Sequence, residues 1–297
     1  MKSLNSMRKA MTLIEIIFVI VVLGIVASLG SEMIAQVYKR YVLQHAIHRA
    51  EIKTELASLQ IANRLANAIP GTLYRKRFYN ANQDWTENLD DFIQHPNNAD
   101  QYNVLQWVGA DTDSFATSST PGWSGFADIN RSDANATSTI LYSPGSDFNL
   151  SKTVITNLNG GAFPAAWKIS LFFPNGLSQA YVQSDLQGSS LVLSDSAVGG
   201  NKVSDIAEQY KLAWTSYALV VEKSNPGDAT GDLYLYYGFD PIPGWMIPNT
   251  TKKSLLLKNV STFKFKKEGP TIRFKICKSE NIGEDYNVTA CKEKAVF

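Results

Sequence analysis

The sequence predicts an α+β fold: a long N-terminal hydrophobic α-helix packed on an antiparallel β-sheet domain with inserted loops. Three observations carry this. Residues 14–69 contain no proline and are apolar or amphipathic throughout, and Pro70-Gly71 ends the stretch. Past residue 70 lie most of the chain's 13 Tyr, 14 Phe and 6 Trp, a composition that suits strands and a packed core. Late in the chain Phe263, Phe265, Ile272, Phe274 and Ile276 alternate with Lys264, Lys266, Arg273 and Lys275. That period-two pattern marks a half-buried antiparallel pair.

At the N-terminus, Arg8-Lys9-Ala10-Met11-Thr12-Leu13-Ile14-Glu15 runs into an apolar segment from Ile16 to Gly30. A carboxylate inside hydrocarbon costs roughly 3 kcal/mol or more, so such a residue calls for a partner. Three readings compete. A secretory signal peptide would be cut near Ala27-Ser28-Leu29-Gly30, but the run from Met11 to Gly30 exceeds the usual apolar core of about 7–15 residues. A plain single-span anchor is satisfied by about 20 apolar residues and leaves Glu15 unexplained. The third is a short leader, residues 1–10, removed after Ala10 with the apolar segment retained.

The expected helix covers residues 11–69, with 11–30 as its membrane-spanning part. Ile34, Val37, Tyr38, Tyr41 and Val42 form one stripe, and Ile52, Leu56, Leu59, Ala62, Leu65 and Ile69 continue it at three- and four-residue spacing. Lys39, Arg40, Arg49, Glu51, Lys53 and Glu55 take other positions. A helix of about 55 residues is roughly 80 Å long.

Ala10-Met11-Thr12-Leu13-Ile14-Glu15 followed by an apolar run resembles the type III signal of type IV pilins and type II secretion pseudopilins. The family mostly has Gly where Ala10 stands and often Phe where Met11 stands. The resemblance implies cleavage between Ala10 and Met11 by a prepilin peptidase and N-methylation of Met11. It also implies a fibre built by packing the N-terminal helices, 11–30 becoming fibre core, with Glu15 the family's acidic assembly residue. Cutting after Ala10 creates a free amine four residues from Glu15, and in a bundle that carboxylate can pair with a neighbour's amine. Lys2, Arg8 and Lys9 hold the leader on the cytoplasmic side. The implied location is a bacterial inner membrane, single-pass, with a periplasmic C-terminal domain, and then a pilus or pseudopilus fibre.

Residues 70–297 read as β-rich. Expected strands are 72–79, 104–108, 167–173, 179–183, 190–193, 216–222, 233–239, 255–260, 262–266 and 271–277. Pro174-Asn175-Gly176 and Glu268-Gly269-Pro270 are hairpin signals. The stretch of about 80–159 is rich in Asn, Asp, Ser, Thr and Gly around Trp85, Trp107 and Trp123, and reads as an irregular insertion. In minor pilins and pseudopilins, insertions of this kind decorate a common core. The two cysteines, Cys277 and Cys291, are most simply one disulfide in an oxidising compartment, with two unpaired thiols as the alternative.

A net charge of +1 with 19% charged residues gives no nucleic-acid footprint. No GxSxG elbow, Walker loop, HExxH or CxxC is present, so no enzyme is expected and no cofactor. His45 and His48 lie three apart on the helix without a third ligand in the sequence. Calcium is one candidate: Asp128, Asn130 and Ser132 place oxygens at alternating positions, although turns rich in Asn and Asp form the same pattern without metal. The reading is a minor pilin or pseudopilin of the larger J- or W-like type, initiating or capping a fibre. Its partners are prepilin peptidase, neighbouring pilins and the membrane. The alternative is a tip adhesin that recognises a surface, DNA or an exported substrate.

Overall fold

The computed structural model describes residues 12–79, 82–89, 102–116, 119–134, 139–164, 169–174, 179–182, 186–195, 206–225, 227–282 and 286–297. The chain opens with helix α1 (Leu13–Leu65), then β1 (Tyr74–Tyr79), β2 (Asn82–Asn88), β3 (Val104–Gly109), α2 (Thr112–Phe115), β4 (Asp133–Ala134) and β5 (Thr139–Tyr142). It continues with α3 (Phe148–Leu158), β6 (Ser170–Phe172), β7 (Gln179–Val182), β8 (Ser190–Ser194) and β9 (Lys211–Ala213). Last come β10 (Thr215–Glu222), β11 (Gly231–Phe239), β12 (Lys252–Glu268), β13 (Thr271–Ile282) and β14 (Tyr286–Val296). The fold is α+β.

Helix α1 runs unbroken for 53 residues, about 80 Å at 1.5 Å per residue. It ends at Leu65, before Pro70, because its exit is claimed by the sheet. Ala68 bridges to Gly109, and the Ile69 amide donates to the Val108 carbonyl at 2.9 Å. Those bonds satisfy backbone groups that a longer helix would have directed along its own axis.

Eight strands form one antiparallel sheet in the order β14-β13-β12-β11-β10-β3-β1-β2. The C-terminal half of α1 lies on it, mainly over β14 and β13. Ala57, Ile61 and Leu65 join Leu105, Trp107, Leu219, Leu257, Phe274 and Ile276 in one core. The alternation expected over residues 263–276 is present: Ile272, Phe274 and Ile276 are buried, while Lys264, Lys266, Arg273 and Lys275 are exposed. The segments 255–260 and 262–266 are one strand, β12. A bulge between Val260 and Thr262 makes the change of register that looked like a break.

A second antiparallel sheet, ordered β4-β5-β8-β7-β6-β9, is built from the chain between β3 and β10. It has its own core, in which Leu141, Phe148, Ile155, Ile169, Leu171, Leu191 and Leu212 are fully buried. The stretch read as irregular therefore differs from the structure. Residues 82–88 and 104–109 belong to the main sheet, and 139–142 and 148–158 to the second unit, which continues to Ala213. Its strands are only two to five residues long, too short to carry a clear period. Helix α3 buries only Phe148, Ser151 and Ile155, and Asp147 caps it by accepting from the Asn149 amide at 3.1 Å.

Candidate functional site

Glu15 lies in the first turn of α1 and is exposed. Its amide donates to the Thr12 carbonyl at 3.0 Å, so its carboxylate sits beside the positive end of the helix dipole, a favourable place for an anion. Ala10 and Met11, the expected cleavage residues, lie outside the described residues. From Leu13 to Leu29 every side chain of α1 is exposed, including Ile17, Phe18, Ile20, Leu23 and Ile25. Among the described residues this is the one helix long and apolar enough to cross a membrane.

The packed half of α1 differs from the stripe expected from sequence. Ala50, Thr54, Ala57, Ser58, Ile61 and Leu65 are the buried residues. Ile52, Leu56 and Leu59 are exposed, Leu56 to 55%. Small residues let helix and sheet approach closely, and the two hydroxyls are satisfied within the helix: Thr54 donates to Ala50 O at 2.7 Å and Ser58 to Glu55 O at 2.8 Å. The larger residues are left facing outward. They continue the exposed line of Ile34, Val37, Tyr38 and Tyr41. A hydrophobicity pattern read alone cannot separate a face that meets its own sheet from one left for another molecule. The run of small residues at 50, 54, 57 and 58 was the available signal.

The β13–β14 hairpin clamps α1. Lys294 Nζ lies 2.7 Å from Glu55 Oε1, and Lys292 Nζ lies 3.6 Å from Glu55 Oε2. The hydrogen bond and charge of Lys294, assisted by Lys292, hold the Glu55 carboxyl below its ordinary range. Cys277 and Cys291 face each other across the same hairpin and are joined in a disulfide.

Asp128 Oδ1 accepts from the amides of Asn130 at 3.1 Å and Arg131 at 3.3 Å, and Ser132 Oγ donates to Asp128 O at 2.7 Å. The Arg131 guanidinium lies over the Tyr142 ring, 3.8 Å from its centroid. The calcium candidates thus form an Asx turn with a cation adjoining it. Among the described residues no three or more His, Cys, Asp or Glu side chains converge. His45 and His48 are exposed on α1, with His45 stacked on Tyr41.

Two buried ionisable groups have local work. Lys76 Nζ donates to the Trp245 carbonyl, helping to hold the 240–251 loop, and burial draws the ammonium down to about 8. Asp111 caps α2 by accepting from the Ser114 amide at 3.2 Å. Burial pushes its carboxyl up to about 6 against those hydrogen bonds. Trp123, one of the aromatics of the 80–159 stretch, is only 5% exposed, and its indole donates to Asp111 O at 2.8 Å. The side chain of Trp85 lies outside the described residues.

Comparison with protein-family models, curated proteins and solved structures finds no match to this chain.

Proposed function

We propose that the chain is a minor pilin or pseudopilin: cut after Ala10, N-methylated at Met11, held in the inner membrane by α1, and built into a fibre through that helix. The observation that supports this reading is the division of α1 into two faces. One side of its C-terminal half is sealed on the sheet. Its apolar N-terminal half and the line through Leu59 are uncovered. A membrane covers about 20 residues of such a helix. Ile34 to Leu59 lie beyond that reach, and the large apolar side chains exposed on that face, Ile34 to Tyr41 and, past His45 and His48, Ile52, Leu56 and Leu59, mark an interaction surface. Neighbouring helices of the same kind are the occupants whose free amine would neutralise Glu15. Initiation or capping suits a subunit with about 230 residues past the helical spine, since that bulk is awkward in the repeating unit of a thin fibre.

The test is to express the chain with and without prepilin peptidase and weigh its N-terminal peptide. Methylated Met11 is expected only with the peptidase. Recovery of residue 1, or a cut at or after residue 27, refutes the reading. Glu15→Ala is expected to abolish fibre incorporation while leaving cleavage intact; normal incorporation would overturn the ion-pair argument alone.

A further inference from the structure

Where α1 ends, a cleft of about 800 Å³ opens between Ala66–Gly71 and the second sheet, within the size range of small-molecule sites. Aromatic rings make its walls: Phe115, Trp123, Phe126, Phe172, Phe173 and Tyr210. These rings are fixed from behind. Trp123 is tethered through its indole to Asp111 O, and Tyr210 OH meets Ser143 Oγ at 2.7 Å. Phe115 packs against Trp123 at 4.8 Å between centroids, and Trp123 against Tyr210 at 5.9 Å. Their polar atoms are therefore engaged outside the cleft. Phe115 and Phe126 are each nearly half exposed, an unsealed apolar surface on an otherwise ordered wall.

Charge gives the cleft a direction. Among its described lining residues Lys211 is the only one with a full charge. It is exposed and has no ion pair among the described residues. In the β6–β9 register it stands opposite Phe172, and directly opposed residues share a face of the sheet. Asp111, whose carbonyl holds Trp123, keeps its own carboxyl buried and bonded to Ser114. The cleft thus offers flat apolar walls, one cation and no lining anion.

We propose that this cleft binds an amphipathic organic acid: an aromatic or short acyl body lying between the rings, with its carboxylate at Lys211. A free acid and a peptide ending in an aromatic residue share this chemistry. The inference stands apart from the assembly reading, since it concerns the end of α1 farthest from Glu15.

The experiment uses the full chain in lipid nanodiscs, labelled with 5-fluorotryptophan and followed by ¹⁹F NMR. The Trp123 resonance is assigned as the one lost in Trp123→Phe. Titration with 4-phenylbutyrate is expected to shift that resonance saturably. 4-Phenylbutanol should bind about two- to fivefold more weakly, the range of an exposed ion pair, and 4-phenylbutylamine more weakly still. Lys211→Gln should bring the three affinities together. Ala66→Trp, placed at the exposed helix cap that lines the cleft, should block all three without unfolding the chain. N-acetyl-Gly-Gly-Phe reports the source: tighter binding than 4-phenylbutyrate assigns a chain terminus, weaker binding a free acid. Equal affinities for acid, alcohol and amine in the unmutated chain, or shifts that persist in Ala66→Trp, would overturn the proposal.

Discussion

Ile61 and Leu56 lie five residues apart on α1 and report on its two faces. Ile61 is 1% exposed within the core shared with Trp107 and Phe274. Ile61→Ala removes three buried carbons and leaves a cavity, which costs about 2–5 kcal/mol. Leu56 is 55% exposed, so Leu56→Ala in the isolated chain should change stability by no more than about 0.5 kcal/mol. In a fibre the order reverses. Full burial of a leucine contributes about 1.5–3 kcal/mol, and roughly half of that is still available to Leu56, giving about a three- to twelvefold loss of incorporation. Stability is read by guanidinium titration of the full chain in nanodiscs, with near-UV circular dichroism as the signal. Incorporation is read as the ratio of sheared-fibre to membrane-bound protein. If the two variants lose similar stability, the two-faced helix is wrong. If Leu56→Ala incorporates like the unmutated chain, the outward line is not the assembly surface.

Asp111 gives stability a distinct pH dependence. Its folded carboxyl, near 6, holds a proton more tightly than an unfolded one at 3.8, so the contribution is present at low pH and lost as pH rises from about 4 through about 6. At about 1.4 kcal/mol per pH unit the full span is about 3 kcal/mol. Glu55, held low, runs the opposite way, so the informative curve is the difference between unmutated chain and Asp111→Asn; a flat difference from pH 4 to 7 contradicts the assignment. Reducing the Cys277–Cys291 bond should cost about 3 kcal/mol by loop-closure entropy, seen as a shift in denaturant midpoint with reductant; coincident curves would oppose it. Replacing residues 111–213 with Asn-Gly should leave hydrogen-exchange protection of β12 and β13 in place, since Gly109 and Thr215 are already opposed; general loss of protection would show the main sheet depends on the insertion.

The strands most legible in sequence were those with large alternating side chains. β13 buries Ile272, Phe274 and Ile276 on one face, and β10 carries Tyr217, Leu219 and Val221. β14 gives little signal in sequence because it is an edge strand, Tyr-Asn-Val-Thr-Ala-Cys-Lys-Glu-Lys-Ala-Val, that among its described side chains buries Ala290 and Val296 and shows lysines, a common protection of exposed edges. β9 and β4 are too short to carry a period. The acidic residue in an apolar helix was plain, as was the pairing of the two cysteines. The cleft was not, because its rings come from Phe115 at the end of the four-residue helix α2, from Trp123 and Phe126 in a polar loop, and from Phe172-Phe173 and Tyr210 far along the chain. Only the second core brings them together.

That second core enters the main sheet at a place where its size has little leverage on the rest. The chain leaves at Gly109 and returns at Thr215, which are paired across adjacent strands, so closing the insertion requires no shift of register in β3 or β10. Three backbone bonds tie the junction: Ile69 N to Val108 O, Ala110 N to Asn67 O and Asp111 N to Leu212 O, at 2.9, 2.9 and 2.8 Å. They join the end of α1, the main sheet and the second sheet at one point. If α1 packs in a fibre through residues 13–59, this junction lies beyond the bundle, and side chains of the second sheet can change without touching a helix contact. The same bonds carry any movement of the helix end into the wall of the cleft, because Asp111, whose amide makes the third bond, also holds Trp123.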